Sequence, residues 1–347
     1  MAGSPSIVVL GAGSVGCFIG SAWAAAGLDV AFIGREQVAD EVRAQGMRLT
    51  DLDGRTLTVP AAAVKFSTKP AALAKADVVL LCVKSHATET AARQIAIHGK
   101  RKPAVISFQN GVSNVDLIKS VLPRHQVIAG MVPFNIVHRG PGHWHKSVAG
   151  DLYAGNHQVT YDIQSRVTGG PAQLKRVEDM KGLAWGKLLI NLNNAVNALS
   201  GRTLLAELKE RDYRRVVAAS ILEALELLGA AGIQPAQAGP IPPKLLPHAI
   251  GAPDFIFRNL LLRVQKIDET AKSSMQDDLA AGRPTEIDHL NGEVVRLAES
   301  IGRDAPVNRA IADLVRQREA GVEHLWSPKD LRRYVLEGHR SAIGFGY

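Results

Sequence analysis

Residues 183–197 read LAWGKLLINLNNAVN, one lysine and four asparagines in a stretch that is otherwise almost wholly apolar. At about 100° per residue on a helix, Lys187, Asn191 and Asn194 fall on one face, with Asn197 at its edge and Asn193 elsewhere. An ammonium among apolar side chains is costly unless it is paired or led out to water. The stretch is therefore either an ordinary half-exposed helix or the wall of a polar pocket. In a pocket, the ammonium could give a proton or hydrogen bond to an oxygen gaining negative charge, and the amides could hold a ligand's polar groups.

A second constellation stands at the N-terminus. VVLGAGSVG places Gly11, Gly13 and Gly16, with Ala12, Ser14 and Val15 between them, after a strand and before a helix. The first glycine permits the tight turn, the second lets backbone approach a pyrophosphate, and the third lets helix and strand pack closely. In this context the spacing predicts dinucleotide binding; the alternative is a merely structural turn. FIGREQ ends the second strand with Gly34 and Arg35 where NAD enzymes usually carry an acid, and Glu36 follows. A guanidinium there suits a 2′-phosphate, so NADP(H) is the expected cofactor; otherwise Arg35 is a solvent-facing residue opening a helix.

Other residues are weaker alone. CVKSHAT puts Lys84 at a strand end, on the edge where open α/β sheets bind ligands, although most lysines simply face water. SFQNGVSN puts Asn110 after the next strand, in a dipeptide that is also a general turn signal. GRPTEID reads as a cap at Thr285 with Glu286 in the first helical turn, explicable by capping and the helix dipole alone. Ser273 and Ser274 read as residues of a helix terminus.

The elements that must position these groups are legible. Nearly all-apolar runs at 6–11, 29–34, 77–83, 103–108 and 126–132 alternate with helical segments near 14–26, 36–45, 86–98 and 114–121. That alternation predicts a doubly wound, Rossmann-type sheet covered on both faces. MRLTDLDGRTLTV (47–59) predicts a surface hairpin, and GPGHWHKS another. Beyond about residue 175 the pattern is helical, with candidates at 180–200, 212–231, 254–272, 286–301 and 307–320 and a proline-rich loop at 234–244. The expected organisation is an α/β nucleotide domain over 1–175, an all-α domain over 176–325 and a basic tail over 326–347.

Composition bounds the rest. A chain of 347 residues with 46% apolar and 21% charged residues is that of a soluble globular protein with two cores. Two cysteines build no disulfide framework, which points to a reducing cytoplasm. No charge precedes Asp29, so the basic n-region of a signal peptide is missing. SIVVLG has strand length only, so neither a membrane span nor a membrane partner is expected. The net charge of +8 permits anionic partners, but the basic residues are scattered among acids and only 5% of residues are aromatic, which argues against nucleic acid. His143 and His145 lack a third ligand at metal-site spacing, and no GxSxG elbow is present.

Taken together, GAGSVG, the basic residue after the second strand, VKS, QNGVSN, WGKLLIN, SSMQDDLAAGRPTEIDHLNG and APVN, in that order, resemble the ketopantoate reductase (2-dehydropantoate 2-reductase) family over nearly the whole chain. The resemblance implies NADPH-dependent reduction of a 2-oxo acid, ketopantoate in pantothenate biosynthesis, at a cleft between the domains. It makes Lys187 the catalytic lysine, Asn191 a substrate asparagine and Asn110 a contact to cofactor and substrate. Ser274 receives the substrate carboxylate, Glu286 sits near the nicotinamide ribose and the lysine, and Arg35 and Lys84 are cofactor-side cations. One departure stands out: a second substrate asparagine of some members is Ala195 here, with Asn194 one residue away and facing nearly the same direction. Two alternatives follow, a relative acting on a bulkier 2-oxo acid as a D-2-hydroxyacid dehydrogenase, and a non-catalytic NADP-binding sensor. A homodimer is the oligomer that the apolar helices of the second domain would suit.

Overall fold

The computed structural model of the chain describes residues 5–261 and 270–338. Two compact units divide after Met180.

The first unit is built on an eight-stranded sheet. Its strands are β1 (Ser6–Leu10), β2 (Asp29–Ile33), β5 (Lys65–Ser67), β6 (Val78–Leu81), β7 (Ala104–Ser107), β8 (Val127–Met131), β11 (Leu152–Gly155) and β12 (Leu174–Val177). The order is β12-β11-β8-β7-β6-β1-β2-β5, parallel throughout except for the antiparallel β8–β11 pair. Helices α1 (Ser14–Ala25), α2 (Glu36–Gln45), α3 (Thr88–His98), α4 (Asn114–Val121) and α5 (Gln158–Val167) complete it. The continuous apolar runs have a direct physical use. In β1, Ile7 and Val9 point into one buried cluster with Phe18, Trp23 and Phe32, while Val8 and Leu10 point into another with Val79, Ile95 and Ile118. A strand buried on both faces needs apolar residues at every position.

The two predicted hairpins form, but not as surface ornaments. Strands β3 (Met47–Thr50) and β4 (Thr56–Val59) pair antiparallel, as do β9 (Ile136–His138) and β10 (His143–Lys146). β10 also pairs parallel with β3, making a second sheet of four strands. Met47, Leu49 and Trp144 enter the same buried cluster as Trp23. Thr50 Oγ1, on β3, lies 2.9 Å from His143 Nε2 and 2.8 Å from His145 Nδ1, so the histidine pair helps join the two hairpins.

The second unit is helical: α6 (Met180–Asn191), α7 (Asn193–Ser200), α8 (Leu204–Leu208), α9 (Arg211–Ala230), α10 (Leu246–Ile250), α11 (Ser274–Ala280), α12 (Asn291–Ser300), α13 (Pro306–Glu319) and α14 (Pro328–Glu337). The helix predicted over 254–272 is present over its described start, as an α-helical turn at Asp254–Ile256 that runs directly into a π-helical one at Phe257–Leu261; residues 262–269 lie outside the described set. A 3-10 turn at Ile287–His289 splits the helix predicted over 286–301, so Thr285 caps that turn and not an α-helix. Residues 328–337, read from sequence as tail, form α14, which packs along α9 through buried Leu331 and Val335; residues 339–347 lie outside the described set. No described helix is long and apolar enough to cross a membrane.

Candidate active site

In the first unit the chemistry-bearing residues gather at the C-terminal ends of the parallel strands. Gly11 has φ +101°, and a Cβ there would stand 2.5 Å from the Val83 nitrogen and 2.7 Å from the Cys82 carbonyl carbon. A Cβ at Gly16 would collide with the Gly11 carbonyl oxygen, whereas one at Gly13 would meet nothing within 4 Å. Turn, open approach and close helix–strand packing thus fall on Gly11, Gly13 and Gly16 in the order the spacing requires. The Gly11 and Ala12 amides both donate to the Ile33 carbonyl, at 3.0 and 2.9 Å, tying the loop to β2. The first-turn amides of α1, at Ser14, Val15 and Gly16, have no carbonyl within their own helix to bond and face outward with the positive end of its dipole. This loop fits a dinucleotide phosphate.

Arg35 is exposed at the tip of β2, directly before α2. Glu36 is turned away along the helix into a 2.7 Å ion pair with Arg43, which holds its carboxyl below the usual range. Lys84 is exposed after β6 and Asn110 is half-buried after β7. Residues not anticipated as a network bind these two loops together. Ser85 Oγ donates to the Asn110 carbonyl at 3.1 Å, and Asn114 Nδ2 reaches both that carbonyl and Ser85 Oγ. Gln109 Nε2 donates to the Val83 carbonyl at 3.0 Å and to Thr88 Oγ1 at 2.7 Å. VKS and QNGVSN are therefore one hydrogen-bonded edge that fixes the backbone of Lys84 and Asn110. Pairings between loops separated by some 25 residues leave no periodic trace in a sequence. Burial pushes both cysteine thiols up, Cys82 to about 12, so neither is an available thiolate near neutral pH.

In the second unit, α6 presents Lys187 and Asn191, and the chain continues through Leu192 into α7. Lys187 is half-buried with its ammonium desolvated, which pushes its pKa down to about 8 against the raising field of Glu286. Glu286 is itself buried, its backbone fixed by its neighbours: Thr285 N donates to Glu319 Oε1 at 2.6 Å, and Ile287 N to Thr285 Oγ1 at 3.2 Å. Asn191 and Asn194 are half-exposed, while Ala195 is fully buried in the helical core. Ser274 is exposed at the first position of α11, and its neighbour Ser273 is the buried cap whose Oγ accepts from Gln276 N. Asn197, placed by the helical wheel at the edge of the Lys187 face, is instead fully buried and bonded within the unit.

What holds α6 in place was not apparent from the sequence. Ala236 N donates to the Gly182 carbonyl at 2.8 Å, and a Cβ at Gly186 would collide with the Ala236 carbonyl oxygen. The proline-rich loop is thus seated on two small residues one turn apart, on the side of α6 roughly 100° from Lys187. Among the described residues no group of three or more His, Cys, Asp or Glu is placed to hold a metal ion.

Comparison with known proteins agrees with this architecture. Residues 7–158 match the family described as ketopantoate reductase PanE/ApbA, and residues 179–319 its C-terminal counterpart. The 2-dehydropantoate 2-reductase of Halobacterium salinarum is 28% identical over 323 residues, covering 89% of this chain and 97% of that protein. A PanE/ApbA family ketopantoate reductase from Ralstonia eutropha JMP134 superposes with a TM-score of 0.77 at 28% identity, covering 92% of this chain and all of that one. A D-mandelate dehydrogenase solved with NADH and anilino(oxo)acetate shares the fold, with a TM-score of 0.70 at 17% identity over 91% of this chain and 98% of that one. With family matches spanning both units, the chain belongs to the ketopantoate reductase family.

Proposed function

We propose that the protein is an NADPH-dependent 2-oxo acid reductase whose substrate is 2-dehydropantoate. The observation that carries this reading is the Lys187 ammonium, pushed down to about 8 by desolvation against the raising field of the buried Glu286 carboxylate, on a helix that also shows the half-exposed amide of Asn191, with that of Asn194 on the helix that follows. An acid whose pKa lies close to operating pH can both carry its proton and release it.

The glycine loop at Gly11–Gly16 holds the pyrophosphate, and Arg35 takes the 2′-phosphate. With Glu36 engaged by Arg43, the acid that would select an unphosphorylated ribose is occupied, which favours NADP over NAD. Lys84 adds cofactor-side positive charge, and Asn110 orients substrate and cofactor. When bound, NADPH would supply the hydride that the carbonyl carbon accepts. As negative charge develops on the carbonyl oxygen, Lys187 donates its proton there, and the hydroxy acid results. Glu286 keeps that lysine charged between turnovers. Ser274 receives the carboxylate, and Asn191 and Asn194 the hydroxyl groups. Ala195 cannot take the role of a substrate asparagine, since it is buried in the core, so Asn194 stands in for it.

A second reading starts from the amide that the chain lacks at 195. An alanine in place of an amide removes a polar contact, and a relative of this fold is a D-mandelate dehydrogenase. A bulkier 2-oxo acid is then the substrate and the mechanism is unchanged. NADPH consumption measured with ketopantoate, pyruvate, 2-oxoisovalerate and phenylglyoxylate separates the two readings. Lys187→Ala protein is the control, expected to lose about 10²–10⁴-fold in turnover while still binding NADPH. A wild-type protein that binds NADPH and reduces none of the acids would refute both readings in favour of a sensor.

A further inference from the structure

Glu207, on the short helix α8, is fully buried, and no ion pair reaches it among the described residues. Its Oε2 accepts from Asn197 Nδ2 at 3.0 Å and from Asn193 Nδ2 at 3.4 Å, while its Oε1 has no hydrogen-bond partner among the described residues. An acid placed there only to fill space would be a poor choice, because a buried carboxyl without a cation costs more than an apolar side chain of the same volume.

The network it anchors leads to one place. Asn197 Oδ1 accepts from the Ser273 amide at 3.0 Å, and Ser273 Oγ donates to the Asn194 carbonyl at 3.2 Å. The Leu204 amide, at the start of α8, donates to the Ala271 carbonyl at 2.8 Å. Residues 271–273 are thus bound to α7 and α8 at three points, and Ser274 is the next residue. We infer that Glu207 is a positioning residue for the 2-oxo acid: through Asn197 it fixes the Ser273–Ser274 turn against α7, and so sets the spacing between the Ser274 hydroxyl and the amides of Asn191 and Asn194. This rests on the reading above, in which those three side chains hold the substrate. Satisfied buried polar networks specify one arrangement of the elements they join.

Desolvation pushes the Glu207 carboxyl up to about 8, against the lowering effect of the Asn197 and Asn193 hydrogen bonds, so near pH 7 it is largely protonated. Glutamine is then its close equivalent in shape and charge, and aspartate keeps the chemistry but withdraws it by one methylene. The test compares wild type, Glu207→Gln, Glu207→Asp and Ser273→Ala for kcat, for the KM of the 2-oxo acid and of NADPH, and for melting temperature. Glu207→Gln should keep the wild-type KM for the oxo acid. Glu207→Asp should raise that KM about tenfold, the effect of one good hydrogen bond, and leave the KM of NADPH alone. Ser273→Ala should move the same constant in the same direction, and carries the test should Glu207→Asp not fold. A folded Glu207→Asp or Ser273→Ala enzyme with wild-type KM for the oxo acid overturns the inference, because a purely structural carboxyl would lower only the melting temperature. A wild type inactive on every oxo acid overturns the proposed function and this inference with it, an outcome distinct from an active enzyme indifferent to both substitutions.

Discussion

Glu286→Gln gives the sharpest test of the acid assigned here. The substitution keeps the size of the side chain and removes its charge, and with it the field that raises the Lys187 pKa against burial. An opposing charge in a site moves a neighbouring pKa by about 1 to 3, so the smallest expected change takes Lys187 from about 8 to roughly 7. Reduction needs the protonated lysine. At pH 8 the protonated fraction then falls from about one half to about one tenth, roughly a fivefold loss, while at pH 6 both enzymes are more than about nine-tenths protonated. The assay is kcat/KM for the oxo acid at saturating NADPH from pH 6 to 10, which reports the enzyme–NADPH complex before the oxo acid binds. The alkaline limb should move to lower pH in the variant. A limb that stays in place, or moves to higher pH, would refute the pairing. A loss equal at every pH would make Glu286 a substrate ligand and not the group that tunes the lysine.

Arg35→Ser should raise the KM of NADPH at least about tenfold and leave NADH nearly untouched, since a bidentate guanidinium–phosphate contact is among the stronger hydrogen bonds; equal effects on both cofactors would remove Arg35 from the 2′-phosphate. Gly186→Ala forces a methyl group against the Ala236 carbonyl and should cost roughly 1–3 kcal/mol by denaturant unfolding, with activity falling as α6 shifts; a variant as stable as wild type would show the loop yields freely. Asn194→Ala should raise the KM for the oxo acid about tenfold, and Ala195→Asn, which puts an amide into the core, should destabilise without improving turnover. An Ala195→Asn enzyme that is stable and faster would mean that residue 195 faces the substrate.

Much of the fold could be read from the chain because its cause is local. An apolar residue at every position of 7–10 and 78–81 is what a strand covered on both faces demands, and the glycines at 11, 13 and 16 answer three separate steric needs of one turn. Lys187 and Asn191 share one helix, one turn apart, because helical geometry is fixed by the backbone alone, while Asn194 stands in the first turn of the next helix. The helical wheel went no further: it set Asn197 at the edge of the Lys187 face, and packing buried it. Only the tertiary structure turned two hairpins into a second sheet, since the parallel β3–β10 pairing joins residues nearly a hundred positions apart. The helix expected over 286–301 is broken because Thr285 and its neighbours bond to Glu319 and to a tight turn, a preference no periodicity records. Nor do propensity and spacing show that a loop rests on Gly182 and Gly186, or that Glu207 has no cation beside it among the described residues. Side-chain type and spacing decide which groups can do chemistry; desolvation and the approach of distant segments decide their protonation and place.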